Sequence, residues 1–228
     1  MIHHQHIIYG FLHDCPNTES TEIHAHLCHS FQVDHYWKYA TTSQFHSDIV
    51  LHVDAHWKET SSTWGGCVGD GDALITSEKK VFLCTRTADC VPIFLFGPQQ
   101  IAVIHAGWRG IANQIIQKCC QMMESIDGAI IGPCISQRNY EVDIDVIQAF
   151  EDIQLSRKDV AIEYKNKKQQ QKFLLDVQRA AKIQLQRAGI QDNHILDSTI
   201  CTFESDSFHS YRRDGIHAGR NWSCIALL

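Results

Sequence analysis

Apolar positions along the 228-residue chain fall into short runs separated by turn residues. Ile7–Leu12, Val81–Thr85, Val91–Phe96, Ile101–Ile104, Gly128–Ile131, Ile195–Asp197 and Trp222–Leu228 read as strands. Gln44–Asp54 reads as a longer one, with Ile49, Leu51 and Val53 alternating against Val50 and His52. Asp70-Gly71-Asp72 opens a further strand; with no twelve-residue ligand loop, its acidic pair is a turn and strand start, not a calcium site. Gly97-Pro98 turns one apolar run back on the next.

Helical spacing appears in three places. Ile111, Ile115, Cys119, Met122 and Ile126 recur at three and four and predict a helix to about Ser125. Val142–Asp152 reads as a second. Leu174–Ala188 reads as a third, with Leu174, Val177, Ala181 and Leu185 on one face and Gly189 as its cap. Cys15–Ser30 shows no periodicity and reads as a polar loop with a Pro16-Asn17 turn. Tyr36–Tyr39 is a helix end or a connector, Lys58–Gly71 a Gly/Ser/Thr-rich loop, and Ser156–Lys172 a solvated segment or exposed helix. Tyr140–Val142 is expected beside Gly128–Ile131. Neither an internal repeat nor a linker is evident, so one domain, residues 1–228, is expected.

Composition narrows the function classes. A net charge of −6 argues against nucleic acid and anionic membrane as partners. No apolar run approaches the roughly 18 residues of a membrane span, and the N-terminal stretch lacks the pattern of a signal peptide. A cytoplasmic protein, monomeric by expectation, follows. Its ten cysteines are then reduced thiols, mostly buried. Eleven of the fifteen histidines lie at or before His56, scattered rather than consecutive.

The chemistry gathers between Thr87 and Gly110. A hairpin closed near Pro98 brings Cys90 and His105 to the same open end. A thiolate beside an imidazole suits either a metal or a nucleophile–base pair, although buried Cys and His near strand ends also occur without function. Asp89, Gly107 and Arg109 strengthen the functional reading, because polar and glycine residues at strand ends do little for a core. Arg109 at a helix start is electrostatically poor for a cation and favours a bound anion beside His105. Tyr211, Arg212 and Arg213 form an aromatic–arginine cluster that is either a solvated turn or a platform for a base and phosphate. His46 and His52 share a face of the predicted strand, about 20 Å apart.

Five segments occur in order: Gln44-Phe45-His46-Ser47-Asp48, Thr87-Ala88-Asp89-Cys90-Val91-Pro92, His105-Ala106-Gly107-Trp108-Arg109-Gly110, Ile131-Gly132-Pro133-Cys134-Ile135-Ser136 and Phe208 through Gly215. In these the chain resembles the YfiH-like family, also called the laccase-domain or polyphenol oxidase family, from about Tyr9 to the C-terminus. The resemblance implies an α+β fold: a single-domain α/β/β/α layered sandwich of the YfiH-like, cytotoxic-necrotizing-factor-like type. It implies zinc, with copper as the alternative ion, on His46, Cys90 and His105; spacing alone does not select His46 from fifteen histidines. It implies phosphorolysis of adenosine, inosine, guanosine and methylthioadenosine, and deamination of adenosine, so purine nucleoside and phosphate are the expected partners. On that reading Gln44, Arg109, Tyr211 and Arg212 bind substrate, while Asp89 joins Cys90 and His105 in the catalytic set and orients a ligand histidine. Two rival enzymes stay open: a metal-independent Cys–His hydrolase of an amide-type substrate such as a peptidoglycan precursor, and a copper-dependent phenol oxidase. A non-enzymatic metal scavenger using the surface histidines is the third alternative. Asp14 stands where the family usually carries Arg, which points to weak phosphorolysis or another substrate if that Arg holds phosphate.

Overall fold

The computed structural model describes residues 2–4, 6–15 and 20–228. In chain order the first elements are β1 (Ile2–His4), β2 (Ile7–Leu12), α1 (Ser20–Phe31), β3 (Lys38–Ser43), β4 (Val50–Val53), α2 (Ala55–Thr60), β5 (Gly65–Asp70) and β6 (Ala73–Thr76). The middle of the chain forms β7 (Val81–Thr87), β8 (Val91–Phe96), β9 (Ile101–Ala106), α3 (Trp108–Ala112), α4 (Ile115–Met122) and β10 (Gly128–Ile131). The rest is β11 (Glu141–Val142), α5 (Ile144–Asp152), α6 (Arg157–Val160), β12 (Ala161–Lys165), β13 (Gln171–Leu175), α7 (Val177–Arg187), β14 (Ile195–Asp197), α8 (Tyr211–Asp214) and β15 (Asn221–Leu227).

Two six-stranded sheets, ordered β1-β2-β15-β7-β3-β5 and β14-β10-β8-β9-β6-β4, lie face to face. Side-chain parity explains the layering. On β7, Val81 and Leu83 enter the core between the sheets, whereas Phe82 and Cys84 join Leu27 and Phe31 of α1 on the outer face. On β9, Ile101 and Val103 face the inter-sheet core, while Ala102, Ile104 and Ala106 meet Ile115 and Cys119 of α4 and Ala181 and Leu185 of α7. Both faces of the central strands are covered, so they read as continuous apolar runs instead of clean alternations. The order helix, sheet, sheet, helices is the expected α/β/β/α sandwich. A third sheet, β11-β13-β12, flanks it.

Several local expectations change. Ser20–Phe31 is a helix, because Ile23, His24, Leu27 and Phe31 form its buried stripe and a buried histidine disguises the pattern; the Pro16-Asn17 turn lies outside the described residues. The strand read over Gln44–Asp54 shrinks to Val50–Val53, and His46 sits in a loop at φ 65°, so it shares no strand face with His52. Of the segment expected over Tyr36–Tyr39, Lys38 and Tyr39 open β3, and α2 and β5 replace most of the loop expected over Lys58–Gly71. The helix after Gly110 starts earlier and breaks in two at Gln114, which is left-handed at φ 63°. Ser156–Lys172 forms α6 and most of a β-hairpin, with Leu174 in β13 instead of α7. Glu141–Val142 pairs with β13, not with Gly128–Ile131.

Candidate metal centre and arginine-lined cavity

Register places the site. Pro92 of β8 lies opposite His105 of β9, so Cys90, two residues before Pro92, lies diagonally from His105 on the same inter-sheet face. Asp72 precedes β6, and its carbonyl accepts the His105 N–H at 2.7 Å. It shares parity with Leu74, which points between the sheets, so its carboxylate also faces the inter-sheet end. His46 reaches the same point from the loop before β4. One ligand atom from each of His46, Cys90 and His105 lies within 4.8 Å of the others, and this is the one such group of three among the described residues. The Cys90 Sγ to His46 Nε2 distance is 3.8 Å, and the imidazoles meet edge-on with centroids 4.8 Å apart.

Asp72 organises the cluster. Its fully buried carboxylate accepts His105 Nδ1–H at 2.7 Å, the His46 N–H at 3.1 Å, and the N–H and Oγ–H of Ser47, each at 2.6 Å. One acid thus orients the ring of one histidine and the backbone of the other. The task expected of Asp89 falls to Asp72. Asp89 instead accepts the Thr202 hydroxyl and the Arg212 N–H, each at 2.7 Å, and tethers the turn before Cys90 to the start of α8. Its backbone is left-handed at φ 90°, a strain the two bonds hold in place.

The electrostatics follow. Burial pushes the Asp72 carboxyl up, but the hydrogen bonds from His105 and Ser47 outweigh it and hold the group down at about 2. Burial also pushes the Cys90 thiol up; the charge and hydrogen bond of His105, with those of His46, bring it down to about 6. For His105 burial works downward, and the facing thiolate and Asp72 raise it to about 9. A thiolate–imidazolium pair backed by a carboxylate results.

The donor set fits zinc. With Nδ1 of His105 occupied by Asp72, Nε2 is left for the ion, the usual arrangement of a metal-bound histidine on a carboxylate. A tetrahedral zinc needs N to S separations of about 3.5 Å, close to the 3.8 Å between Cys90 and His46. Two histidines and one thiolate leave a fourth position for water or substrate.

Space for the cluster depends on Gly107. A Cβ there would lie 2.7 Å from His46 Cδ2 and 3.1 Å from Cys90 Sγ. Its φ of −72° suits any residue, so Gly107→Ala is expected to fold normally yet displace His46. A zinc affinity at least about tenfold weaker, read by chelator competition, is the expected outcome; wild-type affinity would show that the ring can yield without cost.

A cavity of about 740 Å³ opens over the cluster, within the range of about 300–1,000 Å³ common for small-molecule sites. Gln44, Asp89, Arg109, Tyr211 and Arg212 all line it, together with Arg86, Trp108, Tyr140 and Arg220, which the sequence did not single out. Gln44 is partly committed: its Nε2 donates to Arg86 O at 2.8 Å and its Oε1 accepts Arg86 N–H at 2.9 Å. Arg109 stacks on Trp108, while Arg212 stacks on Tyr140 and donates to Glu141 O at 3.0 Å. Tyr211 is exposed at the rim. Arg213 faces elsewhere, donating to the carbonyls of Thr202, Phe203, Ser205 and Phe208 and so fixing the loop that precedes α8. Asp14 does not line the cavity; its carboxylate meets His26 at 3.4 Å.

Residues 16–228 match the family described as multi-copper polyphenol oxidoreductase laccase. The chain belongs to that family. It is 36% identical over 191 residues to a protein from Bacteroides thetaiotaomicron named purine nucleoside phosphorylase, covering 79% of this chain and 70% of that one. It is 34% identical to adenosine deaminase RL5, from an unknown prokaryotic organism, covering 80% and 72%. Among solved structures, Bacillus licheniformis YfiH superposes with a TM-score of 0.80 at 26% identity, covering 93% of this chain and 83% of that one. Among the described residues no helix of the family member is long and apolar enough to cross a membrane.

Proposed function

We propose that the chain is a zinc-dependent enzyme of purine nucleosides, releasing the base by phosphorolysis and deaminating adenosine. The observation that carries this is the His46–Cys90–His105 cluster at the floor of a cavity lined by aromatic rings and guanidinium groups. The names of relatives at 34–36% identity support the substrate class. Bound zinc would supply Lewis-acid chemistry at its open position.

The chain's own groups do the rest. In phosphorolysis a phosphate oxygen bonds to the ribose anomeric carbon as the bond to the base breaks; in deamination water replaces the amino group, which leaves as ammonia. The first needs an oxygen nucleophile in line with the departing base, and the second needs one held over the face of the ring carbon that bears the amino group. Arg109 and Arg212 present guanidinium charge to phosphate or sugar. Tyr211 offers a face for the purine, and the free amide valences of Gln44 face the cavity. Asp72 fixes the tautomer of His105, and Asp89 keeps α8 against the cluster so that Arg212 stays in reach.

One geometry favours a second reading. Cys90, His105 and Asp72 are in the order of a nucleophile, base and orienting acid, with the thiol brought down to about 6. A metal-free Cys–His hydrolase of an amide would use that set. A copper oxidase is less favoured: one three-donor group among the described residues does not provide the several copper sites that electron storage requires.

A single experiment separates these readings. Purified protein is assayed on adenosine, inosine, guanosine and methylthioadenosine, with and without phosphate, before and after chelation. Activity lost to chelator and restored by zinc is expected. Chelated protein should alkylate at Cys90 increasingly as pH rises through about 6, and zinc should block that alkylation. Turnover that survives chelation but dies on alkylation would give the site to the hydrolase.

A further inference from the structure

Four arginines line the cavity, and they leave from different walls. Arg109 follows β9, and Arg212 lies in α8 beside Asp89. Arg86 and Arg220 belong to the other sheet. Arg86 of β7 lies opposite Trp222 of β15, and Arg220 lies two residues before Trp222. Arg220 thus comes just before the strand that pairs with Arg86, and both arginines line the one cavity. Arg86 has the parity of Cys84, which packs toward α1, so it leaves the outer face of its sheet, whereas the metal cluster sits on the inter-sheet side.

Among the described residues neither guanidinium pairs with a carboxylate. Arg138, Arg157 and Arg213 all pair with carboxylates. Arg86 stacks on Trp222 and gives one long bond, 3.4 Å, to Thr42 O. Arg220 donates only to the carbonyls of Ala218 and Gly219, at 2.8 and 2.9 Å. The backbone of Arg86 is clamped at both its N–H and its carbonyl by Gln44, which fixes where its side chain leaves the strand. Asp89, the one carboxylate lining the cavity among the described residues, already accepts Thr202 and Arg212. Two forked donors that line one cavity, with no carboxylate partner among the described residues, match the oxygens of a phosphate group.

We propose that Arg86 and Arg220 form a second anion subsite, in the same cavity as the metal cluster but built from other elements, that holds a phosphate group. The subsite goes beyond the nucleoside reading: it admits ligands whose reacting part lies at the cluster and whose phosphate lies at the far wall, as in a nucleoside 5′-monophosphate. Inorganic phosphate offers the same oxygens, and the arms of the test separate the two sources.

Binding of inosine, inosine 5′-monophosphate, ribose 5-phosphate and inorganic phosphate is measured by calorimetry at fixed ionic strength, on the wild-type protein and on Arg86→Gln, Arg220→Gln, Arg220→Lys and Lys158→Gln. The last removes an exposed charge outside the cavity and controls for net charge. The monophosphate is expected to bind about tenfold tighter than inosine, and either arginine-to-glutamine change should erase most of that gain, with Arg220→Lys keeping part of it. Ribose 5-phosphate lacks the base, so arginine-dependent binding of it supports the subsite even if no nucleoside is turned over. Inorganic phosphate bound with the same arginine dependence, with no gain for the monophosphate, also supports it and makes the ligand a co-substrate. Phosphate-bearing ligands bound equally by wild type and both glutamine variants, or weakened as much by Lys158→Gln, would overturn it. Arg220 is exposed and bonds only to its neighbours' carbonyls, so its variants keep the fold.

Discussion

His105→Ala is expected to lose both zinc and stability, while Cys90→Ala loses zinc alone. The difference lies in what each leaves behind. His105 is buried on the inter-sheet face and donates to Asp72 at 2.7 Å. Its removal strips a buried carboxylate of its only charged partner. Breaking such a pair costs about 3–5 kcal/mol; the donors of His46 and Ser47 that remain keep the cost toward the lower figure. A fall in Tm of roughly ten degrees follows for a chain of this size. Cys90 is half-buried at the cavity floor and carries no such dependent; its change to alanine should stay within about 1 kcal/mol. Metal content and nucleoside turnover should be lost in both variants. Retained metal and activity in both would remove the proposed centre, and equal Tm values for the two variants would contradict the part given to Asp72.

Asp72→Asn should separate orientation from charge. The amide keeps the shape but offers one acceptor oxygen where the carboxylate accepts five donors. Ser47 and His46 compete for that oxygen, and the amide NH2 turned toward His105 Nδ1 would force the ring proton onto Nε2. The lone pair would then point away from the metal. Zinc affinity is expected to fall about 10- to 100-fold, as for other changes behind a metal-bound histidine, with the apparent KM for nucleoside changing less than kcat. Chelator competition reads the first and steady-state kinetics the second. Wild-type zinc affinity in this variant would mean that the loop carrying His46 holds its shape without Asp72.

Much of the site was legible in the chain. Val91–Phe96 and Ile101–Ala106 announce a hairpin by their apolar runs and the Gly97-Pro98 turn, and the hairpin places Cys90 near His105. Asp72 was also within reach of sequence reasoning, since it starts a strand whose parity matches His105; read in isolation it was only a turn residue. His46 was not legible from pattern. Its loop carries a left-handed residue and continues an apparently good strand, so alternation misplaced it. Arg86 and Arg220 were hidden for another reason: one reads as a strand residue and the other as a loop cation, and only the pairing of β7 with β15, which Arg220 immediately precedes, brings both to one cavity. In Ser20–Phe31 a buried histidine in the stripe concealed the helix.

Local pattern by itself determined the central strands, the α5 and α7 helices and the Cys90–His105 approach, because each depends on side-chain periodicity or on one short turn. Tertiary structure alone decided which acid serves His105, which arginines line one cavity, and where His46 points. Those depend on strand order and register, which bring together residues tens to more than a hundred positions apart and leave no local periodicity to read.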